Sequence, residues 1–179
     1  MPQANSRRQT TAVSEGGALR ARDGISLLTE GDVYLFSEGT HLRLYDKLGV
    51  HYLATDQVQG TYFAVWAPNA AKVSLMTEAN DWSDSETALF PHGSSGIWEG
   101  FVEGMRRGAP YKYHVVSRED SYRVDKADPF AFQSELPPKT ASVIWNSSYT
   151  WGDGEWMAGR GARNAPKSPM SVHELHLGS

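Results

Sequence analysis

At 179 residues the chain has room for one ordinary domain with flanks. A complete (β/α)₈ barrel, which typically needs ~250 residues, is therefore excluded. A net charge of −4 and a pI near 5.8 argue against a nucleic-acid partner, and zero cysteines exclude a disulfide framework or a thiolate metal site. The unusual entry in the composition is aromatic: six Trp, eight Tyr and six Phe, with 17 Gly and nine Pro to supply turns, predict a β-rich domain.

Residues 1–24 are polar, lack apolar periodicity and read as a disordered tail. No apolar run approaches the ~18 residues of a membrane span, and the first residues lack the apolar core of a signal peptide. The expectation is a cytoplasmic chain with no membrane partner. Residues 25–57 read as a packing extension: the apolar clusters between Ile25 and Phe36 suit a short helix or turn ended by Gly39. After it, Thr40 can cap a turn carrying Leu42, Tyr45 and Leu48 that Gly49 closes.

Between residues 58 and 147 the pattern is that of short strands. Tyr62–Trp66 is stopped by the Pro68-Asn69 turn, Lys72–Leu75 alternates polar and apolar, and Asn80–Asp84 is a polar loop carrying Trp82. Ile97–Val102 follows a Gly/Ser turn. Tyr111–Val115 alternates, with its tyrosines on one face and Lys112 and His114 on the other; Tyr122–Val124 and Ser142–Trp145 complete the set. About seven strands separated by turns every ~8–12 residues predict a β-sandwich, with Trp66 and Trp98 in its core. Residues 148–168 are rich in Gly and read as a linker carrying Trp151 and Trp156. Residues 169–179 begin a further apolar strand, as if a second domain started there and the chain stopped one strand into it.

Several of these segments resemble glycogen branching enzymes in order and spacing. Thr61-Tyr62-Phe63-Ala64-Val65-Trp66-Ala67-Pro68-Asn69-Ala70 is similar to their F-x-V-W-A-P-N-A strand and turn. Ser37–His41 with Tyr45, Leu48-Gly49 and His51 resembles the preceding segment, and Tyr111–Tyr113, Lys126–Pro129 and Ala141–Val143 the later strands. Pro169–Glu174 and His176–Ser179 are similar to the opening of the catalytic barrel. The resemblance implies a family 48 carbohydrate-binding module, immunoglobulin-like in fold, ahead of a glycoside hydrolase family 13 barrel that cleaves α-1,4 glucan and rejoins it as an α-1,6 branch. Two residues depart from the pattern: Ala79 stands where the family has Phe ahead of Asn80, and His173 where Tyr is common.

A retaining glycosidic mechanism needs two rigid carboxyl groups ~5–5.5 Å apart. The resemblance puts those carboxylates on later barrel strands, so this chain is expected to carry no catalytic residue and no cofactor. Local acidic pairs such as Glu119/Asp120 and Asp125/Asp128 read as solvated or turn-stabilising charges. The His173-x-x-His176 spacing would place both rings on one face of a helix but on opposite faces of a strand, so no metal site is expected. Sugar binding is the sharper expectation. A pyranose offers C–H faces that stack on a flat aromatic, and hydroxyls that need donors and acceptors. The candidate glucan-binding residues are Trp82 in its loop, Lys112 on the outward strand face and Tyr122 after the charged loop. Starch-binding relatives of the module place a loop Trp, a strand Lys and a second aromatic similarly. The expected partners are α-glucans (glycogen, starch, maltooligosaccharides) and the barrel of the same protein. The alternatives are a docking module that supports the barrel without touching sugar, and a regulatory module that targets other proteins to glycogen.

Overall fold

The computed structural model describes residues 19–54, 59–120, 122–147, 149–163 and 165–178. In chain order its elements are β1 (Ala21–Arg22), α1 (Glu30–Ser37), β2 (Gly49–Ala54), β3 (Gln59–Trp66), β4 (Ala70–Thr77), β5 (Phe90–Pro91) and β6 (Ile97–Glu103). They continue as β7 (Pro110–Ser117), β8 (Arg123–Lys126), β9 (Gln133–Ser134), β10 (Ser142–Val143) and α2 (Gly154–Arg163). Two antiparallel sheets result: β1-β6-β3-β2 with β5 on β6, and β4-β7-β10-β9 with β8 on β7. The expected β-sandwich is borne out.

Period-two alternation puts Val73 and Leu75 of β4 and Tyr111 and Tyr113 of β7 on the inner face of the second sheet. They meet Phe63 and Val65 of β3 and Trp98 and Val102 of β6 from the first. β3 is also covered on its other face. Tyr62 and Ala64, with Ile97 and Phe101 of β6, pack under Leu28, Leu48 and the partly buried Val33 and Phe36. A strand buried on both sides reads as a continuous apolar run, which is why Thr61–Trp66 shows no alternation. The extension of residues 25–48 is thus a third layer. Glu99 of β6 ties it down, accepting from Ser26 Oγ at 2.7 Å, from the Tyr62 hydroxyl and from His92 Nδ1 at 2.6 Å.

Helix α1 starts where Thr29 and Asp32 form a capping box. His41 Nε2 lies 2.9 Å and Lys47 Nζ 3.0 Å from the same Asp32 carboxylate. Burial pushes that carboxyl up, but hydrogen bonds from His41, Thr29 and Lys47 outweigh it and hold Asp32 far below the usual carboxylate range. A depressed folded-state pKa contributes stability that is fully present above the unfolded value of ~3.9 and is lost as pH falls from there through the much lower folded value. Asp32→Asn should therefore be less stable than the parent at pH 6, and the gap should begin to narrow below about pH 4 and go on narrowing in stronger acid. Urea unfolding at several pH values checks this; a gap that is independent of pH would contradict it.

Four expectations are corrected. Residues 19–24 do not all belong to a tail: Leu19 packs on the core, and Ala21 and Arg22 pair with Val102 and Phe101. Residues 1–18 lie outside the described residues. Within the expected packing extension, residues 49–54 form the full strand β2, in register with β3 from Gly49↔Ala64 to Ala54↔Gln59. Trp66 is 53% exposed: it stands at the very end of β3, where it packs T-shaped against Phe36 at the margin of the covering layer. The linker contains α2, despite Gly154, Gly159 and Gly161, and its first turn carries Glu155 and its last Arg160 and Arg163, each at the favourable helix end.

The chain divides into two units, ending and starting at Asn146 and Ser147. In the second unit residues 169–178 form no strand, and Met170, Val172, Leu175 and Leu177 are exposed. A strand of the kind expected there exists only through ladder bonds to neighbours, and none runs beside it among the described residues. No described helix is long and apolar enough to cross a membrane.

Candidate glucan-binding site

The site begins with a turn. At the end of β4 the chain folds into a 3₁₀ turn over Glu78–Asn80, where Thr77 N–H donates to Asn80 Oδ1 at 2.9 Å. The buried Asn80 amide in turn donates to Leu75 O at 2.9 Å and Thr87 Oγ1 at 3.1 Å. Asp81 and Trp82 then sit at φ +52° and +57°, in the left-handed region that side chains with a Cβ rarely occupy. Trp82 N–H donates back to Thr77 O at 2.9 Å. Two consecutive left-handed residues persist only where the surroundings dictate them, and Asn80 supplies that constraint. The result reverses the chain and brings Trp82 back over the outer face of the second sheet.

Lys112 meets it there. Tyr111 and Tyr113 point into the core, where both hydroxyls donate to Asp128 Oδ2, at 2.7 and 3.1 Å. Burial pushes both phenols far above their ordinary pKa, and the neighbouring Asp128 carboxylate adds to the shift, so they stay protonated donors. Alternation then forces Lys112 onto the opposite face, in register with Met76 of β4. Its ammonium donates to Thr140 Oγ1 at 2.7 Å.

Trp82 and Lys112 line one groove of about 370 Å³. Met76 and Ala141 add apolar surface, Thr140 a hydroxyl, and Glu78, Asp125, Glu135 and Lys139 charge. Asp125 also holds His114 Nδ1 at 2.6 Å, while His114 Nε2 lies 3.8 Å from Asp84 in the Trp82 loop. Of these groups only Trp82 and Lys112 were legible as site residues. Met76 and Asp125 follow from cross-strand register with Lys112 and His114, whereas the wall of residues 135–141 has no local pattern that announces it.

Tyr122 is not brought to this groove. Ser117 N–H donates to Tyr122 O at 2.8 Å, extending the β7–β8 ladder one pair past Val116↔Arg123. Cross-strand partners share a face, so Tyr122 belongs with Val115 and Ser117, opposite Lys112. Five residues of strand at ~3.4 Å each also put it roughly 17 Å along β7. Tyr122 instead lines a separate hollow of about 170 Å³ with Pro68, Asn69, Val115 and Val124. Among the described residues no cluster of His, Asp or Glu could hold a metal ion.

Residues 47–131 match Carbohydrate-binding module 48 (Isoamylase N-terminal domain). The chain carries a module of that family. Beyond the module, it is 51% identical over 152 residues to the 1,4-alpha-glucan branching enzyme GlgB of Albidiferax ferrireducens, a match covering 84% of this chain and 24% of that enzyme. To the GlgB of Aquifex aeolicus it is 48% identical over 155 residues, 86% of this chain and 24% of the relative. The resemblance to branching enzymes read from the motifs is borne out, and the chain spans about a quarter of the length of these relatives. Among solved structures, ligand-free PulA from Klebsiella pneumoniae matches with a TM-score of 0.46 at 22% identity, over 56% of this chain and 10% of that one, too loosely to bear on function.

Proposed function

We propose that this carbohydrate-binding module holds α-glucan chains in the Trp82–Lys112 groove, within a protein that branches α-1,4 glucan. The observation that supports it is the convergence of Trp82 and Lys112, 30 residues apart in sequence, on one groove lined by further polar groups. An indole offers a flat face to the C–H side of a pyranose at little entropic cost, and an ammonium offers three donors to its hydroxyls. Lys112 is not freely mobile: its bond to Thr140 holds the donor at the groove before a ligand arrives. In the whole protein the module would keep a glucan chain close to a catalytic domain, raising its effective concentration there.

Affinity electrophoresis of the 179-residue chain through a gel containing glycogen tests this reading. The parent chain should be retarded. Trp82→Ala and Lys112→Ala should each weaken retention about tenfold, from the loss of one stacking surface or one charge-assisted hydrogen bond. Circular dichroism should show both variants folded, since neither side chain belongs to the core. A parent chain that runs at the same mobility with and without glycogen would overturn glucan binding and leave the docking reading.

A further inference from the structure

We infer that Glu135 is a sugar ligand, its carboxylate accepting a hydroxyl hydrogen from the ring stacked on Trp82; this rests on the glucan reading of the groove. Glu135 follows β9 and closes a turn onto Ala141. Its backbone N–H donates to Ala141 O at 2.9 Å, and its Oε2 accepts Ala141 N–H at 3.1 Å. The other oxygen, Oε1, lies 3.3 Å from Lys139 Nζ. The side chain is only 17% exposed, so it is held in one place at the groove wall.

The turn itself does not need a charge. One acceptor for Ala141 N–H suffices, and a glutamine would supply it. The ion pair to Lys139, which is 70% exposed, contributes little in water. What the charge adds is acceptor capacity: each carboxylate oxygen has two lone pairs, so both retain one after their present contacts. Lys112 brings donors to the same wall, where its ammonium is held on Thr140, next to Ala141. A held acceptor and a held donor in one groove suit a ligand that carries several hydroxyls, some donating and some accepting. An aromatic groove alone would take any flat apolar molecule, whereas this pair selects for a polyhydroxylated one.

Calorimetric titration of the full 179-residue chain with maltoheptaose separates the possibilities. Glu135→Gln keeps an oxygen for Ala141 N–H and removes the charge; it should bind about tenfold more weakly at an unchanged urea midpoint. Glu135→Ala should lose the same affinity and also some stability, because the turn loses its side-chain acceptor. If Glu135→Gln binds within twofold of the parent while Trp82→Ala binds about tenfold more weakly, Glu135 serves the turn alone and the inference is overturned with the glucan reading intact. If Trp82→Ala binds like the parent, the groove is not the glucan site and both fail.

Discussion

Asp128→Ala should lower the unfolding free energy by about 3–5 kcal/mol. The carboxylate is buried and takes three hydrogen bonds: Oδ2 accepts from Tyr111 and Tyr113, and Oδ1 accepts Phe130 N–H at 2.8 Å. Truncation strands two phenolic hydroxyls that are fully buried, together with a backbone donor, and each such orphan costs ~1–3 kcal/mol. Burial raises the Asp128 pKa, against the opposing hydrogen bonds from Tyr111, Phe130 and Tyr113, so part of the native gain is already offset by desolvation. Asp128→Asn, which removes that desolvation and keeps one carbonyl acceptor, should cost less than alanine. Urea unfolding measures both; a cost for alanine below ~1 kcal/mol would mean that water takes over the carboxylate's bonds. The effect reaches the site as well, because the inward tyrosines are what turn Lys112 outward.

Asn80→Ala should cost about 2–4 kcal/mol and also remove glycogen retention from the molecules that still fold. Asn80 is 5% exposed and makes three hydrogen bonds: Thr77 N–H, Leu75 O and Thr87 Oγ1 all depend on it. Thr87 Oγ1 passes the chain of bonds on to Leu19 O at 2.7 Å, so the turn is tied to the N-terminal strand region too. With the amide gone, only backbone bonds such as Trp82 N–H to Thr77 O oppose the strain of the left-handed Asp81 and Trp82, roughly 1–2 kcal/mol each. The turn relaxes and the indole leaves the groove. Retention that survives Asn80→Ala under conditions where the variant is folded would show that the turn holds Trp82 without Asn80. Trp82→Ala is the control, since it should weaken retention about tenfold with little loss of stability.

The sandwich was legible because its main strands carry their own pattern. Val73, Leu75, Tyr111 and Tyr113 alternate, and alternation is a local consequence of the pleat. β2 was missed because Gly49–Ala54 is paired on one edge only and its residues do not alternate cleanly. α2 was missed because Gly159 and Gly161 oppose it, at ~1 kcal/mol each relative to alanine in a helix interior, and charges at its two ends are a weaker signal.

The site divides in the same way. That Trp82 stands in a polar loop and that Lys112 faces away from the core were fixed by residues within a few positions of each. Asn80, read as one more polar loop residue, is the buried pin of that loop: its amide bonds Leu75 and Thr87, and Thr87 is in turn tied to Leu19 from the far N-terminal side of the chain. Tyr122 seemed to belong beside Lys112 by residue type and position. The β7–β8 register sends it to the opposite face, since a shift of one residue along a strand exchanges the faces. The wall from Glu135 to Ala141 reaches the groove through β10 pairing with β7, a contact between segments some 30 residues apart. Local chemistry in the sequence therefore determined the fold class and two residues of the groove. Which side chains complete the groove was decided by long-range pairing, because register and face are properties of two strands together and are written in neither alone.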